Sequence, residues 1–233
     1  MIKRINHATM GGAQNKWLKS IFHFSFDDYY NPKNMNFGVL RVLNDDLVQA
    51  GRGFELHPHR DMEIISYVVE GELTHGDSLG HKKTITRGEI QYMSAGTGIY
   101  HSEHNLGKET LRLLQLWIYP DKRNYPPAYG DYSFKKEERH NRWLNIVSGP
   151  TGNAPIRIHQ DANLFVGELD EGYELSFEVK PGRQAYVLQI EGRASFNEVI
   201  LETRDAAEVD ETNLTVKALT PSHVLIVEMA KEE

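Results

Sequence analysis

Two short stretches of this chain hold the residues best suited to chemistry: His57-Pro58-His59 and His101-Ser102-Glu103. On an extended strand, side chains two residues apart point to the same face, so each pair projects into one space. Pro58 disfavours helix at His57 and keeps the first pair extended. With 11 histidines in 233 residues, about half of one His-x-His is expected by chance. A solvated surface strand is therefore the bland alternative for either pair alone. Brought together by the hairpins between them, the two pairs offer three imidazoles and one carboxylate to a single ion. Nitrogen and oxygen ligands without sulfur suit Fe(II), Mn, Co, Ni, Cu or Zn, and leave positions open for substrate and water.

The elements that must position these residues read as strands. Phe37–Leu43, Ile64–Val69, Leu111–Tyr119, Tyr173–Val179, Tyr186–Ile190 and Val224–Val227 are short and rich in β-branched or aromatic residues. Turn signals recur at Asn44-Asp45-Asp46, Glu70-Gly71, Leu79-Gly80, Arg87-Gly88, Pro181-Gly182 and Glu191-Gly192. This predicts an all-β architecture, with at most one helical turn at Lys16–Ser20. The segment from Pro120 to His140 has the composition of a linker or long surface connection and divides the chain into two parts of comparable size. VVEGEL at 68–73 and QIEGRA at 189–194 form a weak internal echo, consistent with a duplicated barrel or with chance similarity of two hairpins.

Composition narrows the classes. The chain is 39% hydrophobic and 25% charged, enough for a core without staples. It has no cysteine, which excludes disulfide scaffolds, zinc–thiolate and iron–sulfur sites and thiol nucleophiles. A net charge of −7 argues against a phosphate-binding nucleic-acid surface. No stretch approaches the roughly 18 apolar residues of a membrane span. Lys3 and Arg4 are followed by no apolar run of the signal-peptide kind. A cytoplasmic protein is the expectation.

The pattern Gly51-x5-His57-x-His59-x3-Glu63-x7-Gly71 resembles the first cupin motif, and Gly88-x5-Ser94-x-Gly96-x4-His101-x3-Asn105 the second. Phe24-Ser25-Phe26, Leu40–Asp46, His57–Glu63, His75–Gly80 and Met93–Asn105 make the chain similar to the pirin family in particular, closely over residues 16–120 and by layout beyond. The resemblance implies an all-β bicupin, two double-stranded β-helix (jelly-roll) barrels, at residues 1–130 with a metal and at 131–233 without one. It implies His57, His59, His101 and Glu103 as ligands of one divalent transition metal, Fe(II) before the alternatives Mn, Co, Ni, Cu and Zn. It also implies a dioxygenase that opens the flavonol ring of quercetin-like substrates with O2, releasing carbon monoxide, with Glu103 as general base. The alternative it carries is an iron-containing regulatory protein acting through a protein partner, with no direct nucleic-acid or membrane contact. A cupin isomerase or a dioxygenase for another small molecule would share the same site.

Other residues are assigned by their surroundings. Glu63 shares parity with His57 and His59 only if the backbone stays extended through Arg60–Met62, so it is a partner of a ligand or a buried structural acid. His104 alternates away from His101. His7, His75, His81, His140, His159 and His223 read as isolated core or surface residues, while the direction of His23 stays open. Phe22, Phe24, Phe26, Tyr29 and Tyr30 form either a wall at the pocket mouth or a clamp for the N-terminal segment. Gln115 and Trp117 can each face the cavity or not. Lys135–Arg139 reads as a solvated charge run.

Overall fold

The computed structural model describes residues 1–231. The last two residues of the expected second domain lie outside the described residues. Among the described residues there are 22 strands, two single-turn 3-10 helices (His7–Thr9 and Lys136–Glu138) and no α-helix. Among the described residues no helix is long and apolar enough to cross a membrane. In chain order the first strands are β1 (Ile2–Ile5), β2 (Gly11–Gln14), β3 (Leu18–Phe22), β4 (Leu40–Val48), β5 (Arg52–His59) and β6 (Glu63–Glu70). They continue with β7 (Glu72–Asp77), β8 (Lys82–Thr86), β9 (Ile90–Ser94), β10 (Ile99–Asn105), β11 (Leu111–Ile118) and β12 (Ala128–Tyr132). The remainder are β13 (Leu144–Ser148), β14 (Ile156–Arg157), β15 (Ala162–Leu169), β16 (Glu174–Phe177), β17 (Arg183–Glu191), β18 (Ala194–Phe196), β19 (Val199–Leu201), β20 (Ala206–Asp210), β21 (Leu214–Ala218) and β22 (Ser222–Ala230).

Two compact units result. Of the described residues, one holds 11–134 and 158–160, the other 1–10, 135–157 and 161–231. The sequence-based boundary at residue 130 does not include these exchanges. Residues 1–10 go with the second unit because β1 pairs antiparallel with β20 along Ile2–Ile5. In the first unit a seven-stranded sheet runs β12-β9-β6-β11-β4-β3-β2, and a four-stranded sheet runs β5-β10-β7-β8. The second unit has a seven-stranded sheet β1-β20-β17-β22-β15-β13-β14 and a four-stranded sheet β16-β21-β18-β19. The central order β9-β6-β11-β4 becomes β20-β17-β22-β15, and β5-β10-β7-β8 becomes β16-β21-β18-β19. Each number is raised by eleven, so both units are the same eight-stranded jelly roll, as the all-β reading expected. The Glu-Gly echo marks equivalent corners: Gly71 and Gly192 each have φ +78° between β6 and β7 and between β17 and β18. Only a residue without a Cβ adopts that turn without strain.

Several local expectations are corrected. Lys16–Ser20 makes no helical turn, because residues 18–22 form β3, paired with β2 and β4. Asn44-Asp45-Asp46 is not a turn but the buried centre of β4. The Arg112 guanidinium on β11 donates two bonds to Asp45, at 2.9 and 2.7 Å, which supplies the burial of a carboxylate with a charged partner. Phe37 lies outside β4, which starts at Leu40, and Tyr173 and Val179 lie outside β16. Part of the expected linker, Ala128–Tyr132, is β12, an edge strand on β9. The Lys135–Arg139 run closes a 3-10 turn, and Arg139 is buried against Glu168 at 3.0 Å rather than solvated.

Candidate metal centre

The four-stranded sheet of the first unit brings the two histidine pairs side by side. On β10, Ile99, His101, Glu103 and Asn105 point inward, as strand parity required. His101 lies directly opposite His57 on β5 and Asp77 on β7, and Glu103 lies opposite Phe54 and His75. Between His101 and Glu103 the register slips. Glu55 and Leu56 together face Ser102, a bulge that re-aims the His57-Pro58-His59 segment. At Gly53 a Cβ would collide with the backbone of Glu103, so the strand pair closes this tightly only with glycine there.

Three imidazoles meet. Ring centroids are 4.8 Å apart for His57 and His59, 4.5 Å for His57 and His101, and 4.8 Å for His59 and His101. One ligand nitrogen from each lies within 4.8 Å of the others, and among the described residues this group can hold a metal ion. Nδ1 of His57 sits 2.7 Å from the Glu55 carbonyl oxygen, which accepts its N–H and leaves Nε2 with its lone pair. Both ring nitrogens of His101 are buried with no hydrogen-bond partner. A buried imidazole left so is costly unless something binds its lone pair, which fits a metal ligand. Burial, then the neighbouring imidazoles, lowers His59 and His101 to about 3, so both are neutral and able to donate a lone pair at neutral pH.

The structure does not place Glu103 in that tight group. Its carboxylate faces the same cavity, held from the opposite sheet. Ser66 donates to Oε1 at 2.8 Å and Gln91 at 2.6 Å, and Gln115 donates to Oε2 at 2.6 Å. These donors form one line: Gln91 on β9 lies opposite Ser66 on β6, and Ser66 opposite Gln115 on β11. Oε1 receives two donors and Oε2 one, so Oε2 keeps more capacity to accept a further proton.

Glu63 points elsewhere. Asp61 takes a left-handed φ of +49°, which breaks the extended run on which shared parity depended. The Glu63 carboxylate is buried, and accepts from Tyr92 and Ser94 hydroxyls at 2.6 Å each and from the His159 backbone at 3.0 Å. It is a structural acid. His104 points away and meets only Glu55 at 3.4 Å. His23 is buried, and burial holds it down to about 4. His7, His81, His140 and His223 each face a carboxylate, and His159 stacks on Tyr125 at 3.7 Å.

His75 is where sequence reasoning fell short. It is buried, its ring centroid 5.6 Å from that of His101, stacked on Tyr129 and bonded through Nε2 to Asp77 at 3.0 Å. A single histidine carries no spacing signal. Only its register position beside Glu103, across from β10, reveals it.

His57 and His59 open on a cavity of about 290 Å³. Its walls include Leu18, Phe22, Phe26, Phe54 and Trp117, with Gln115 and Glu103 at one side. Both Gln115 and Trp117 face inward. Of the five clustered aromatics, Phe22 and Phe26 line the cavity, packed edge to face at 5.2 Å, with Phe26 on Trp117 at 5.4 Å. Phe24 is buried outside this lining, Tyr29 would meet any side chain placed at Gly11, and Tyr30 is 72% exposed. The wall reading thus holds for two of the five. Asn44 and Asp46 also line the cavity. Burial pushes the Asp46 carboxyl up to about 7, the Ser20 hydroxyl opposing and the Asp45 and Glu103 charges adding.

Comparison with known proteins follows the same division. Residues 4–118 match the family model described as Pirin, and residues 134–229 the one described as Quercetinase C-terminal cupin domain. A Pseudomonas aeruginosa protein provisionally named quercetin 2,3-dioxygenase is 46% identical over 99% of this chain and 100% of its own length. The quercetin 2,3-dioxygenase of Escherichia coli is 37% identical over 94% of both chains. The crystal structure of the Escherichia coli bacterial pirin YhhW in complex with nickel(II) superposes with a TM-score of 0.93 at 35% identity, covering 100% of both chains.

Proposed function

The chain belongs to the pirin family, and on that footing we propose that its first barrel is a metal-dependent dioxygenase site that opens the ring of a quercetin-type flavonol with O2. The observation that supports this most is the imidazole triangle, with both nitrogens of His101 buried and unpartnered and with His57 and His59 on the wall of an aromatic-lined cavity. His57, His59 and His101 would hold a divalent ion, Fe(II) in our reading, with Glu103 as the fourth donor. Bound there, such an ion supplies Lewis acidity and redox chemistry toward dioxygen.

The chain's own residues do the rest. The Glu55 carbonyl orients His57 so that its free nitrogen faces inward. Phe22, Phe26, Phe54 and Trp117 give a flat aromatic body an apolar, water-poor surface. Glu103, oriented by Ser66, Gln91 and Gln115, takes the proton of the flavonol 3-hydroxyl at Oε2, the oxygen with fewer donors. The deprotonated ring is then the electron-rich species that O2 attacks. Ring opening releases carbon monoxide and leaves the depside.

The test is an aerobic assay of iron-loaded protein with quercetin, following loss of flavonol absorbance and carbon monoxide release together. Coupled loss and release is the expected result. Silence at full metal occupancy would remove the enzymatic reading and leave a metal-containing binding protein.

A further inference from the structure

The polar line that holds Glu103 does not stop at Gln115. The next residue in register is Asn44 on β4, and two positions along the same face is Asp46, which lies opposite Ser20 on β3. Gln91, Ser66 and Gln115 each spend a donor on Glu103. Asn44 and Asp46 are instead 3% exposed, line the cavity, and each keeps a side-chain oxygen (Oδ1) buried without a partner. Asp45, between them, points to the other face and meets Arg112. The contrast within one tripeptide matters: the acid facing the packed side has a guanidinium, and the one facing the cavity keeps Oδ1 without a donor. An acceptor buried in that way costs free energy until a donor arrives.

We propose that Asn44 and Asp46 form a second recognition pole of the cavity, accepting hydrogen bonds from hydroxyl donors on the substrate ring remote from the one that faces the histidines. The pole offers acceptor oxygens, so it selects a ligand that brings O–H or N–H groups on an otherwise flat apolar body. A polyhydroxylated aromatic has that chemistry. Phe22 and Leu18, neighbours in the cavity lining, would cover the carbon skeleton beside it. The proposal rests on the flavonol reading and adds to it which part of the molecule is discriminated. Discrimination of this kind is strong because a ligand lacking the hydroxyl leaves the oxygens unpaired again.

The experiment uses the full-length protein and two probes, quercetin and 3-hydroxyflavone, which shares the metal-facing hydroxyl but lacks the others. Binding to the wild type and to Asp46→Leu and Asn44→Leu is measured by quenching of tryptophan fluorescence. Quercetin should bind the wild type about tenfold more tightly than 3-hydroxyflavone, and the variants should lose that preference through quercetin alone. Asp46→Leu removes the buried oxygen that has no donor, its fold is checked by circular dichroism, and Asp46→Asn provides a nearly isosteric check. If both flavonols bind the wild type equally, or if Asp46→Leu weakens both alike, the second pole is overturned while the flavonol reading stands. If neither flavonol binds the wild type, the flavonol reading fails and takes the pole with it.

Discussion

Where β10 and β5 of the first unit pair His101 with His57 and Glu103 with Phe54, the equivalent strands β21 and β16 of the second pair Leu214 with Phe177 and Val216 with Leu175. The inward residues of β21 (Leu214, Val216 and Ala218) belong to one apolar cluster with Phe177, Phe196, Leu201, Val187 and Ile226. In the first unit the equivalent interior carries Gln91, Ser66, Gln115 and Asn44 in a line across four strands. Two of its apolar clusters, around Leu73 and Leu113 and around Ile64 and Met93, hold six and four buried residues against fifteen in the second unit's cluster. The same strand order therefore supports two opposite interiors, one packed and one holding a polar cavity. Burial of polar groups costs stability unless each finds a partner, so the first barrel gives up packing for a site and the second is free to pack.

That contrast can be attacked at several points. The largest effect is expected in the packed barrel: Phe196→Ala removes a fully buried ring and should lower unfolding stability by about 3–5 kcal/mol in urea denaturation. Metal affinity of the folded protein should stay within about twofold, since Phe196 packs within the second unit's own cluster. In the other barrel, His101→Ala should weaken metal binding by more than about 100-fold in calorimetric titration, beyond the range seen when only a supporting residue is removed. Its circular dichroism should remain that of the wild type.

A smaller loss is expected from Gln115→Leu, which takes the one donor from Oε2 of Glu103. Metal content should be retained while kcat falls about tenfold, the worth of one charge-assisted hydrogen bond. A separate test concerns pH. His23, held down to about 4 by burial, excludes a proton that the unfolded chain binds below its ordinary value of 6.5. Its contribution to stability is therefore present above 6.5 and lost as pH falls from 6.5 toward 4, by up to about 1.4 kcal/mol per pH unit. His23→Gln should flatten the stability curve in that window. Asp46, raised to about 7, holds a proton that the unfolded chain has released, so between its ordinary value of 3.8 and 7 it runs the other way. Asp46→Leu should steepen the curve. Chemical denaturation of the metal-free protein at stepped pH separates the two.

How far the sequence could be read follows from which signals are local. Strand parity put His101 and Glu103 on one face, and turn glycines such as Gly71 and Gly192 marked equivalent corners. The His-x-His spacing on β5 was visible for the same reason. What stayed hidden depends on cross-strand register. Asn44-Asp45-Asp46 has the composition of a turn, and only Arg112 and the cavity, contributed by distant strands, turn it into a buried strand. His75 and the line from Gln91 to Gln115 became legible only once β7 and β9 were placed beside their partners. The parity argument for Glu63 ended at a single backbone angle, at Asp61.

Anomalous diffraction at the metal edge, on crystals loaded with a ferrous or nickel salt, bears most directly on the difference between the barrels. The expected map has one strong peak per chain, with nitrogens of His57, His59 and His101 at about 2.0–2.2 Å from it, and no peak among Leu175, Val216 and Phe196. A dominant peak inside the second barrel, or full loading with those three rings turned away from the ion, would contradict the account.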